Sequence, residues 1–320
     1  MDGLDEMIKM VNDKSGFTLI ELSIVLVIIG LIIGGVLVGQ DLIQSAAIRS
    51  TIAQIGKYNT AVRAFQNKYG YYPGDIPDPL ASNSGLSARG VYSGEGDGDG
   101  VIKGTSAGGA NNNCGFCVQS GETVMVWVDL ATAGLIDGGF NTATLQSGQY
   151  FPSQINPALY FPAAKIGNNN YIYIFSGGLT GNGNALISDD SVWFGMSATT
   201  AIVTGSWQFS SSPGLTVAQA YNIDQKIDDG LPQSGRVLAI YYNNAATYGS
   251  NYQYHPTWAA SGAAGADVWG GGGVGYIATT TATAYASTNC YDNNGVAGTQ
   301  QYSTAKNATS VNCALSFKMQ

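Results

Sequence analysis

The chain has one histidine and few charges; only 11% of its 320 residues are Asp, Glu, Lys or Arg. The lone His255, beside Pro256, has no second imidazole to work with, which argues against His-based catalysis. Basic residues are scarce as well, 13 Lys and Arg against 21 Asp and Glu. Phosphate binding needs clustered cations, so this balance argues against nucleic acid as a partner. There are four cysteines: Cys114, Cys117, Cys290 and Cys313. Cys114-Gly115-Phe116-Cys117 lacks the second close pair or histidines that a metal site of that type requires. The four fit structural disulfides in an oxidising compartment, and three pairings are open. No period of 20–50 residues repeats, and no proline occurs before Pro73.

Apolar length, by contrast, is present near the start. Residues 17–39 form a run of 23 with one charge, Glu21. At about 1.5 Å per residue, a helix of that length covers the roughly 30 Å hydrocarbon core of a bilayer. A carboxylate at the centre of such a segment costs about 2.5–3.5 kcal/mol, so Glu21 calls for a partner. Cutting the chain between Gly16 and Phe17 would free an amine about one helical turn away. A secretory signal is cut after its apolar run, whereas this site precedes the run.

Lys14-Ser15-Gly16-Phe17-Thr18-Leu19-Ile20-Glu21-Leu22 resembles the processing site of type IV prepilins and type II secretion pseudopilins. The resemblance implies that Gly16 ends a leader, that Phe17 is the N-methylated terminus and that Glu21 serves assembly. It also implies the partners: a prepilin peptidase that methylates, an inner-membrane assembly platform, membrane lipid before assembly, and further copies of the chain in a helical filament. The expected location is the inner membrane with the head in the periplasm, then an extracellular pilus or a periplasmic pseudopilus. A disulfide-closed C-terminal region is common among pilins, which favours Cys290 with Cys313 and leaves Cys114 with Cys117 as a local clip. The leader of residues 1–16 is net acidic, and Met7 or Met10 could replace Met1 as the start. Without it the chain keeps 11 basic and 17 acidic residues.

Helical periodicity continues beyond the apolar run. Ile48, Ile52, Ile55, Tyr58, Val62, Phe65 and Tyr69 recur at steps of three and four, with Arg49, Gln54, Lys57, Arg63 and Lys68 mostly between them. One helix over 17–69 is therefore expected, apolar all round in its first half and amphipathic in its second. Gly70 and Pro73 stop it. Gly30, Gly34, Gly35 and Gly39 suit close helix packing, or local unwinding on assembly. The organisation expected is a leader at 1–16, a membrane or filament-core segment at 17–39, an amphipathic segment at 40–70 and an extracytoplasmic head at 71–320.

The head reads as α+β. Strands are expected at 171–175, 192–194, 201–203, 236–242 and 314–317, and helices at 122–133 and 216–228. With the resemblance, the expected fold is pilin-like: a long N-terminal helix packed on an antiparallel sheet, with large loop-rich insertions.

One stretch carries metal chemistry on its face. In Gly94-Glu95-Gly96-Asp97-Gly98-Asp99-Gly100-Val101-Ile102, acids at alternate positions precede a turn glycine and aliphatic residues. This resembles the first half of an EF-hand loop. Glu95, Asp97 and Asp99 would offer carboxylates to calcium and Val101 a carbonyl. The twelfth position is Ser106 where a bidentate Glu is usual, and Glu122 is a remote substitute. In the stretch from Asp224 to Gly230-Leu231-Pro232, Asp228 and Asp229 read as turn formers facing water, with a metal or a buried Arg as the other reading. These acids, with Tyr72-Pro73-Gly74-Asp75 and the 127–138 stretch, loosely resemble a group of large prepilin-type proteins. The glycines at 270–275 formally match G-x-G-x-x-G but lack a strand before and a helix after. Trp258, Trp269 and Tyr276 read as core aromatics, or as a sugar- or surface-binding patch.

Overall fold

The computed structural model describes residues 17–90, 94–105, 113–114, 118–145, 156–176, 191–203, 208–242, 256–259, 289–292 and 300–320. The chain divides into two compact units, Met1–Ala46 and Ala47–Gln320. Helix α1 (Leu19–Tyr69) is continuous through the four glycines of the apolar run. In the first unit its large apolar side chains are exposed, Leu19 at 92%, Leu31 at 72% and Ile43 at 72%. In the second unit, burial starts at Ile48 and follows the expected stripe: Ile48, Ile55, Tyr58, Val62 and Phe65 are buried, Ile52 and Tyr69 half-buried, and Thr51 and Ala61 are buried beside them. The globular body thus includes the helix from Ala47 onward, a little under half its length. Gly70 ends it at φ +79°, its N–H donating to Gln66 O.

Helix α2 (Glu122–Thr132) is apolar nearly all round and buried from Glu122 to Leu130, as expected of a helix enclosed by its neighbours. Trp127 joins the layers: its ring lies 5.0 Å from Tyr58 of α1, edge-on, and 6.2 Å from Phe194. Phe194 belongs to a five-stranded antiparallel sheet. Its strands are β1 (Asn170–Ser176), β2 (Val192–Val203), β3 (Gln208–Ser212), β4 (Val237–Leu238) and β5 (Leu315–Lys318). The order is β1-β2-β5-β4, with β3 paired to the later part of β2. Ile174 and Phe317 both stand opposite Phe194, which fixes the inward register.

The antiparallel α+β fold, the long helix and both head helices are as expected, and three strand assignments change. The runs at 192–194 and 201–203 are one strand. Gly195 is needed there: a Cβ would lie 2.2 Å from the Tyr173 ring across the ladder. The run at 236–242 is split, because Ala239 donates its N–H to Pro232 O and Ile240–Tyr242 leaves the sheet to pair with Pro256–Trp258. Strand β3 was not anticipated, its Gln-Phe-Ser-Ser-Ser having little strand signal. A buried polar relay ties the departing segment back. Tyr173 Oη accepts from Tyr242 N (2.8 Å) and contacts Ser197 Oγ (3.0 Å), and Ser197 donates to Ser211 (3.0 Å).

Helix α3 (Val217–Ile227) starts in a capping box, Thr216 with Gln219. Cys290 and Cys313 form a disulfide with Cα atoms 4.9 Å apart. The pairing of Cys114 with Cys117, the glycines at 270–275, His255 and the side chains of Trp258, Trp269 and Tyr276 lie outside the described residues, as does Gly16.

Candidate functional site

Two places carry the sequence-predicted functional residues. At the start of α1, Thr18 and Glu21 form a reciprocal cap. Thr18 N and Oγ1 both donate to Glu21 Oε2 at 2.8 Å, and Glu21 N donates to Thr18 Oγ1 at 3.3 Å. This is the S/T-x-x-E capping box, a second use for Glu21 that the spacing Thr18-x-x-Glu21 signals. Both bonds converge on one carboxylate oxygen. Among the described residues no donor reaches Oε1. Phe17, next to it, is 87% exposed.

The acidic glycine loop is built differently from its sequence pattern. Gly94, Gly96, Gly98 and Gly100 all have positive φ, from 73° to 89°. Alternation with the acids between them turns successive backbone N–H groups inward, the arrangement of an anion-binding nest. Two buried carboxylates from elsewhere fill it. Asp75 accepts Gly98 N on Oδ1 (2.8 Å) and Gly100 N on Oδ2 (2.9 Å). Glu122, the first residue of α2, accepts Gly96 N (2.8 Å) and Asp97 N (3.4 Å) on Oε1 and Lys103 N (2.9 Å) on Oε2. Its own N–H donates to Gly94 O and Lys103 O, closing the loop onto the helix. Gly74 packs against the start of α2, where a Cβ would lie 2.5 Å from Glu122 O.

Asp97 and Asp99 lie on the loop's partly exposed side, and Lys103 Nζ meets both: 3.0 Å from Asp97 Oδ2, and in contact with Asp99 Oδ2. The Lys103 side chain is 1% exposed. Desolvation alone would lower its pKa, but hydrogen bonds to Asp99 and Asp97 outweigh that and raise it. Burial raises Asp75 to about 7, with Asp99 and Asp97 adding to the rise against its two amide bonds. Burial first and then Asp75 push Glu122 well above the usual carboxylate range.

At this loop the carboxylates of Asp75, Asp97 and Asp99 converge within 4.8 Å, as do those of Asp224, Asp228 and Asp229 elsewhere in the head. Of the expected ligand set, Asp97 and Asp99 therefore come together. Glu95 is buried with its carboxylate against Gly90. Val101 is held by its N–H on Asp99 Oδ1 (3.0 Å), and both Glu122 oxygens accept backbone amides. Asp75 and Lys103 were missed: Asp75 lies 23 residues before Gly98 in sequence. Next to this loop, the guanidinium of Arg89 is wholly buried. It donates to Asp129 Oδ2 (2.6 Å), Ile76 O (3.0 Å) and Ser87 O (3.0 Å), and Gly74 N donates to the same Asp129 oxygen (2.6 Å). Burial raises the Asp129 pKa despite Arg89.

The second acidic group behaves as a turn. Asp229 accepts Leu231 N (2.8 Å) and Ser234 Oγ (2.6 Å), and Asp228 holds the backbone N–H of Arg236. Asp224 is buried and accepts Tyr302 Oη (2.8 Å) and Gly230 N (3.3 Å).

The model of the prokaryotic N-terminal methylation motif matches residues 11–37. No curated protein and no solved structure matches the chain. The matched segment is the cleavage and methylation motif of type IV pilins and pseudopilins. The chain thus carries that motif at the start of a long helix that leads into an antiparallel β-sheet head, an arrangement consistent with a pilin-like α+β fold. Processing by a prepilin peptidase and filament assembly in general follow from the motif.

Proposed function

We propose that the chain is a structural subunit of a type IV pilus-like filament. The leader is removed after Gly16, Phe17 is methylated, and the apolar part of α1 moves from the bilayer into a filament core. The observation that carries this reading is the surface of the first unit. From Leu19 to Ile43 the leucines, isoleucines and valines are about half exposed or more, and one 18-residue window has a mean hydropathy of 2.9. Soluble monomers rarely leave so large a contiguous apolar surface in water. Lipid covers it before assembly and other copies afterwards, with Glu21 available to neutralise the Phe17 amine of the same or a neighbouring subunit. The head contributes packing and surface, with no catalytic role.

Two neighbouring roles share this chemistry, a type II secretion pseudopilin and a minor pilin acting as an adhesin. Shearing of cells followed by mass spectrometry of the N-terminus separates all three. A dominant sheared band beginning at methyl-Phe17 is the expected result. Processed protein retained in the periplasm identifies the pseudopilin, and a trace component at filament ends the adhesin. An N-terminus that retains the leader refutes all of these roles.

A further inference from the structure

We infer that Lys103 is the acidic loop's built-in cation, standing where the sequence pattern reserves a place for calcium. The inference rests on the donor set around the loop and is independent of the filament reading. An EF-hand-type site turns oxygens toward one point, six to eight of them at 2.3–2.6 Å from the ion. Here the loop turns N–H groups inward. Both oxygens of Asp75 and both of Glu122 accept backbone amides. The two acids directed elsewhere, Asp97 and Asp99, share one ammonium, and that ammonium belongs to a residue with a 1% exposed side chain. A divalent ion on the same oxygens would sit within a few ångströms of Nζ, and like charges at that distance repel strongly where water is scarce. Removing the carboxylates would in turn leave a buried ammonium unpaired, which is costly. Lys103 also donates its backbone N–H to Glu122 Oε2, so the residue that supplies the charge is fixed by the loop it neutralises.

The test is thermal unfolding of the full-length chain in detergent, followed by tryptophan fluorescence, in millimolar calcium and in chelator. The wild-type midpoint is expected to be the same in both. Lys103→Met is expected to lower it by about 5 °C or more in chelator, and calcium is expected to restore part of that loss, because the vacated acids then accept an ion. Lys103→Arg keeps the charge and should remain indifferent to calcium. A saturable rise of the wild-type midpoint with calcium overturns the inference, and that measurement stands even if Lys103→Met does not fold. The inference also fails if Lys103→Met unfolds at the wild-type temperature, or is destabilised without any recovery in calcium.

Discussion

Glu21 caps α1 and, in the proposed filament, also pairs with the Phe17 amine; replacing it by Gln and by Ala distinguishes the two roles. The capping box uses a single acceptor oxygen, Oε2, which receives both Thr18 N and Thr18 Oγ1 at 2.8 Å. A glutamine supplies that oxygen, so Glu21→Gln keeps the cap and loses only the charge. Alanine loses both. A cap is worth about 1 kcal/mol, which is about fivefold in an equilibrium. An ammonium left unpaired in a hydrocarbon-like core costs about 2.5–3.5 kcal/mol, or about 100-fold. If the Phe17 amine needs the carboxylate, Glu21→Gln should reduce sheared filament by about two orders of magnitude, and Glu21→Ala by about fivefold more. Immunoblots of the membrane fraction should show both variants inserted, and the N-terminal mass should show both processed. Wild-type filament yield from Glu21→Gln, with loss from Glu21→Ala, would refute charge pairing and leave the cap as the whole role of Glu21.

Two further outcomes are expected in the head. Arg89→Met should destabilise it by about 3–5 kcal/mol in denaturant titration, since Asp129 is left charged and buried, while Arg89→Met combined with Asp129→Leu should recover much of that loss; equal losses in the two would show that the pair itself matters little. Burial raises Asp224 to about 7, against Tyr302 and Gly230 hydrogen bonds that lower it and with Asp229 and Asp228 adding to the rise. The folded chain therefore keeps a proton that the unfolded chain releases near pH 4. Stability contributed this way is greatest below about pH 4, falls by up to about 1.4 kcal/mol per pH unit as pH rises to about 7, and is level above that. Asp224→Asn should flatten that slope in urea midpoints measured from pH 4 to 8, and an unchanged slope would exclude Asp224 as its source.

The elements legible in the sequence are those defined by close neighbours along the chain. The stripe from Ile48 to Phe65, the stop at Gly70 and the start of α3 at Thr216 each depend on residues three or four positions apart. Strand assignments failed where a partner strand decided the matter: Gly195 is a strand residue because Tyr173 covers it from across the ladder, and Ala239 leaves the sheet because Pro232 takes its N–H. Glu21 stands out by its isolation in an apolar run, and its bond to Thr18, equally local, is signalled by the Thr18-x-x-Glu21 spacing.

By itself, the sequence determined where the N-terminal methylation motif and the membrane-length helix lie. The methylation motif at residues 11–37 is a contiguous pattern, and the membrane-length helix and the amphipathic change after Gly39 are likewise properties of neighbouring residues, reported directly by apolar period and charge spacing. What the acids of the glycine loop do was decided only by the tertiary structure. Asp75 reaches that loop across 23 residues, Glu122 across 26, and Arg89 reaches Asp129 across 40. A carboxylate ligates a metal, anchors amides or pairs with a lysine according to which donors stand within about 3 Å of it, and distances that short between remote segments are set by how the chain packs.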